Sequence, residues 1–218
     1  LQQFDRKDAN LAILRTDARI PPRARAVAIL ERDVFLLISP AGQKIKSIAD
    51  LKKKKIAIIA DNESSAALVR NILELSNIPN AATQVQMAPT GATFDKLFAS
   101  GFGAVIKVGH ASQIVKDKSY EQSARRGGFT LNAIDSAKAI ARKNPAISEE
   151  TLATGMLSAS PAVPGEDLDT VGLEWLLVAQ SRLPTTTVSD LARIIYENKA
   201  ELALENGFAS RIEPAATD

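Results

Sequence analysis

The sequence predicts an α/β fold in which strands and helices alternate. Short apolar runs recur along the chain, helical spacing follows most of them, and glycine or proline ends the helices. Composition agrees, since 45% of the 218 residues are hydrophobic and 24% charged, an ordinary globular balance. A formal net charge of +2 and an aromatic content of 5% give no basis for a nucleic-acid partner.

The run "ANLAILR" (9–15) is apolar and ends in charge, as a buried parallel strand does. "RAVAILERDVFLLISP" (25–40) holds two more apolar runs, split by Glu31-Arg32-Asp33, and Pro40-Ala41-Gly42 punctuates the chain. Ser47 is placed to cap one helical turn within 47–55, and "IAIIA" (56–60) is a strand. From Ser64 to Asn77 the positions Leu68, Val69, Ile72, Leu73 and Leu75 fit a helix, with Pro79 as its stop.

Residues 83–88 alternate as a strand does, and 90–101 read as a helix closed by Gly101. A strand over 102–110, a helix over 111–119, a strand over 127–135 and a helix from Ser136 to Lys143 complete the alternation. This order predicts a mainly parallel sheet with helices on both faces. Beyond it, Pro145, Pro161, Pro164 and Gly165 mark a change of pattern. A strand over 171–181 and a long helix capped at Thr187 or Ser189 follow, and a tail begins at 213.

In open α/β sheets ligands lie outside the carboxyl ends of strands, so the polar residues after each strand are the candidates. Asn62, Ser64 and Ser65 stand out, because a helix start offers free N–H groups and two hydroxyls to a carboxylate or phosphate. The competing reading is that Asn62 or Ser64 only caps the helix. Glu63 opposes an anion unless it turns outward or meets a ligand ammonium group. Arg15 is the natural counter-charge for a carboxylate, while Asp17 either receives an amine or holds Arg15. Thr90, Gly109 and His110 complete the candidates, with Asn132 and Asp135 following the last strand of the alternation.

Several chemistries lose support. No cysteine and one histidine leave no thiolate or multi-histidine metal site, and no metal or cofactor is expected. No glycine-rich dinucleotide fingerprint, Walker lysine or serine elbow is present, so nothing asks for an enzyme. No signal peptide or membrane span is present either. The chain nevertheless starts at Leu1 without methionine and soon enters a strand, which predicts a piece of a longer protein.

The stretches "LAILRTD", "AVAILERDVFLLISP" and "IKSIADLKKKKIAII" resemble the type 2 periplasmic binding fold. There S-x-x-D-L-K-G-K-K-I recurs, and this chain departs from it by Lys53 in place of glycine. "DKLFASGFGAVIKVGH" (95–110) and "VGLEWLLVAQSRLPTTTVSDLARIIYENKAEL" (171–202) extend the resemblance to the TAXI group of TRAP transporter solute receptors. The resemblance implies a periplasmic receptor whose two lobes close on a small carboxylate or amino acid and pass it to TRAP-type permease subunits. Any membrane anchor would lie outside this chain. The resemblance also places an anionic group at Ser64 and Ser65, with Arg15 and Asp17 from the first lobe.

The expected division is 1–38 with 166–218 as a partial first lobe, and 39–165 as the fuller second lobe. The resemblance implies further strands ahead of "LAILR", so the first lobe is expected to be truncated, and its open sheet edge predicts a dimer. The alternative function is the effector-binding domain of a LysR-type transcription regulator, which shares the fold and would carry a DNA-binding helix pair.

Overall fold

The computed structural model describes residues 2–78, 81–205 and 207–215. Helix α1 (Gln2–Asp5) leads into β1 (Leu11–Arg15) and β2 (Ala24–Pro40). β2 is one strand of 17 residues, so Glu31-Arg32-Asp33 lies inside it and does not separate two strands. Each of these side chains has a polar partner. Glu31 accepts the Arg32 N–H, Arg32 lies 2.8 Å from Glu213 and 3.5 Å from Glu174, and Asp33 reaches His110.

Ser47 and Asp50 form a capping box on the 3-10 turn Ile48–Lys53, ahead of β3 (Ile56–Ile59). α2 (Glu63–Leu75) buries Leu68, Val69, Ile72 and Leu73, while Leu75 is exposed. Its expected stop, Pro79, lies outside the described residues. α3 (Ala81–Gln84) takes part of the segment expected as strand and leaves β4 (Val85–Met87). α4 (Phe94–Ala99) stops at Gly101, whose φ of +87° suits glycine, and the Phe102 N–H returns to the Leu97 carbonyl.

β5 (Ala104–His110) runs straight into α5 (Ala111–Ile114), and α6 (Lys118–Arg125) is a separate helix capped by Asp117. β6 (Phe129–Asn132), α7 (Ala137–Lys143) and β7 (Ser148–Leu152) follow. The short β8 (Ser158–Ala159) and β9 (Ala162–Val163) pair with each other before β10 (Leu168–Gln180). α8 (Thr185–Glu205), a 3-10 turn over Gly207–Arg211 and β11 (Glu213–Pro214) complete the described chain. The last three residues of the expected tail lie outside the described residues.

Two compact units emerge, Leu1–Arg32 with Leu173–Asp218, and Asp33–Gly172. Both boundaries fall inside long strands, β2 and β10, and not at 38/39 and 165/166. Pro40 is the last residue of β2, and Pro161 and Pro164 precede β10, so these prolines do not end a unit. In the first unit β1 pairs with β10 from Leu11↔Ala179 to Arg15↔Trp175, antiparallel where a parallel strand was expected. Leu11 and Ile13 stay exposed while Leu14 is buried with Phe4, Leu176 and Val178, so β1 covers a core with one face only.

In the second unit β3 lies between β4 and β5 and is parallel to both. β2 pairs antiparallel with β5 and with β6, so β3, β4, β5 and β6 share one direction and β2 runs against them. The helical crossovers therefore give the expected common direction, and the reversed β2 makes the sheet mixed. Helices cover both faces. Val34, Leu36 and Ile38 meet Phe94, Ile114 and Tyr120 on one side, while Phe35 and Leu37 meet Val69 and Ile72 of α2 on the other. Phe94 stacks on Tyr120 at 6.2 Å and meets Phe129 edge-on at 5.1 Å.

Candidate functional site

The carboxyl ends of β3, β4 and β5 open onto one cavity of about 530 Å³ in the second unit. Three segments shape it: Ile59 to Glu63 after β3, Met87 to Ala92 after β4, and Lys107 to His110 at the end of β5. Gln113, Ile114 and Asp117 close one side. This is the position that parallel strands leave for a ligand, because the helical crossovers diverge beyond the sheet edge.

Of the candidates read from sequence, Asn62, Thr90, Gly109 and His110 line this cavity. Ser64 and Ser65 are not among its lining residues. Their hydroxyls donate to Asn62 Oδ1 at 2.7 and 3.1 Å, and the same oxygen accepts the Ser65 N–H at 3.1 Å. Asn62 is thus the N-cap of α2, and Ser65 is fully buried behind it. Glu63 reaches Arg70 at 3.2 Å.

Arg15 and Asp17 belong to the first unit, where two 2.7 Å hydrogen bonds join them in a bidentate pair. Both are about nine-tenths buried, and the Arg15 guanidinium lies 5.9 Å from the Trp175 ring. Asn132 and Asp135 serve the fold. Buried Asn132 accepts the Ile45 N–H and donates to Ser39, and Asp135 accepts the Ile48 N–H.

Three functional candidates escaped the sequence reading. Asp33, only 3% exposed, stands opposite His110 in the β2–β5 register, with its Oδ1 2.6 Å from His110 Nδ1. Lys107 lines the cavity from within a strand that is otherwise apolar up to Gly109. Asp117 lines it while capping α6 through the Ser119 N–H at 2.9 Å. The signal for Lys107 was present, as a lone charge between Ile106 and Val108, but strand-end counting passes over it. Beneath the site, burial first and the Asp117 carboxylate second raise the Tyr120 hydroxyl well above its ordinary pKa. Among the described residues no group of three or more His, Asp or Glu side chains is arranged to hold a metal.

A model of the NMT1-like family matches residues 22–216. The chain belongs to this family. None of the curated proteins matches it. Among solved structures, XAC2383 from Xanthomonas citri bound to ATP is similar at 8% identity and a TM-score of 0.55, over 99% of this chain and 75% of that one. The GluR0 ligand-binding core in complex with L-glutamate is 11% identical with a TM-score of 0.48, over 96% and 75% of the two chains. The Corynebacterium glutamicum OxyR C206 mutant is 13% identical with a TM-score of 0.48, over 94% and 54%. The family member's mixed α/β fold is of the type 2 periplasmic binding kind. No helix among its described residues is long and apolar enough to cross a membrane.

Proposed function

We propose that the chain is the solute-binding receptor of a TRAP-type secondary transporter of the TAXI group, taking a small organic anion or amino acid. The observation that carries this reading is the cavity at the ends of β3, β4 and β5, whose mixed polar lining suits a small charged solute. The TAXI assignment rests on the motif resemblance over 95–110 and 171–202. In this reading Asn62, Thr90, Gly109 and His110 contact the solute, Ser64 and Ser65 hold Asn62 in place, and the protein works in the periplasm beside its permease subunits. Arg15 and Asp17 are proposed as ligand-binding residues of the first unit.

A thermal-shift screen of the complete protein against amino acids and small carboxylates tests the reading, with calorimetric titration of every hit. At least one solute should bind with 1:1 stoichiometry, and the permease subunits reconstituted in vesicles should import it only when the receptor is present. If none of these solutes binds, the receptor reading fails. Binding without import by the permease removes the TRAP assignment and leaves a solute-binding protein of another kind.

A further inference from the structure

Lys107 is an unusual occupant of its position. It lies in β5 between β2 and β3, opposite Leu36 and Ile59, with buried Ile106 and Val108 on either side. It is half-buried, and among the described residues its ammonium makes no ion pair. Its Cε lies 4.0 Å from where a Cβ on Gly109 would stand, so its stem runs along the strand toward that glycine. A cation partly withdrawn from water and given no counter-charge is stabilised by any anion that enters beside it.

The start of α2 competes poorly for that anion. Asn62 Oδ1 already takes the Ser65 N–H and both serine hydroxyls, and Glu63 stands at the same wall with its charge answered by Arg70. The opposite sign is in excess elsewhere. Asp61 has no polar partner among the described residues, and Asp117 receives a backbone N–H but no cation.

We infer that the cavity selects a zwitterion, with the solute's carboxylate at Lys107 and its ammonium toward Asp61 and Asp117. The inference rests on the solute-receptor reading and sharpens it. A dicarboxylate would meet one cation and two like charges, and a diamine would leave Lys107 unanswered and repelled. A zwitterion alone answers both signs.

The test compares solutes that differ only by the amine: L-aspartate with succinate, L-glutamate with glutarate, and every other amino acid that binds with its deaminated analogue. Putrescine serves as the cation-only probe. Calorimetric titration of the complete protein should show an amino acid binding about tenfold or more tightly than its deaminated partner, as expected for one charge-assisted bond. Lys107→Met should weaken that binding about tenfold or more without lowering the melting temperature, since methionine suits an apolar strand. The paired change Asp61→Asn and Asp117→Asn, which keeps a capping side chain on α6, should weaken the amino acid and spare its deaminated analogue. A dicarboxylate or putrescine that binds more tightly than every amino acid overturns the inference and leaves the receptor reading standing. Unchanged affinity in Lys107→Met overturns the inference as well, and absence of binding by all probes overturns both.

Discussion

Gly172→Ala should be costly well beyond the loss of one hydrogen. Gly172 sits in β10 opposite Ser148 of β7, and a Cβ added there would lie 2.6 Å from Glu150 Cγ and 2.7 Å from the Asp33 carbonyl oxygen. The Glu150 side chain can swing away, but the carbonyl belongs to β2, which is hydrogen-bonded to β5 at this level. Relief therefore requires a shift of backbone by several tenths of an ångström, and overpacking of this kind costs about 1–3 kcal/mol. For a chain of this size each kcal/mol lowers the melting temperature by about 2–4 °C, which gives a fall of about 2–12 °C. Gly109→Ala is the control, because its Cβ would meet only Ile114 and Lys107 side-chain carbons at 3.7 Å or more. It should stay within about 0.5 kcal/mol of the parent. Urea and thermal unfolding of the two variants measure the difference. Equal stability of Gly172→Ala and the parent would refute the close approach of β10 to the Asp33 carbonyl.

Asn62→Ala removes an acceptor shared by three donors and should destabilise by about 1–2 kcal/mol in urea unfolding, whereas exposed Ser64→Ala should cost less. Phe94→Ala empties the ring cluster with Tyr120 and Phe129 and should cost about 3–5 kcal/mol by the same assay. Because folding raises the Tyr120 pKa, the folded chain keeps a proton that the unfolded chain releases above about pH 10. Stability from this group is complete below that pH and is lost as pH rises further, so alkaline titration should show Tyr120 ionising only together with unfolding.

The helices and strands of the second unit were legible because each helix carries its own apolar stripe and cap. Strand direction was legible only where a helical crossover forces it, from β3 through β6. β2 was misread because Glu31, Arg32 and Asp33 look like a loop until their partners are known. The partners of Arg32 and Asp33, which are Glu174, Glu213 and His110, lie at least 77 residues away in sequence. The site followed the same logic. Asn62 and Thr90 follow strand ends and Gly109 and His110 are the last residues of β5, so their place along the cavity wall was legible by position. Lys107 lies within a strand, and Asp117 looks like an ordinary cap, so the concavity that gathers them had to be seen. The serine pair shows the converse, since hydroxyls ideally spaced for a ligand were taken up by the neighbouring asparagine.

The pairing of Leu11 with Ala179 fixes a timetable for synthesis. β1 leaves the ribosome before β10, and this partner strand follows some 160 residues later. At about 5–20 residues per second, that interval is roughly ten to thirty seconds. Residues 33–172 are contiguous and can complete their own core within it. For all that time Leu14 lacks Leu176 and Val178, the β10 residues with which it is buried in the finished fold.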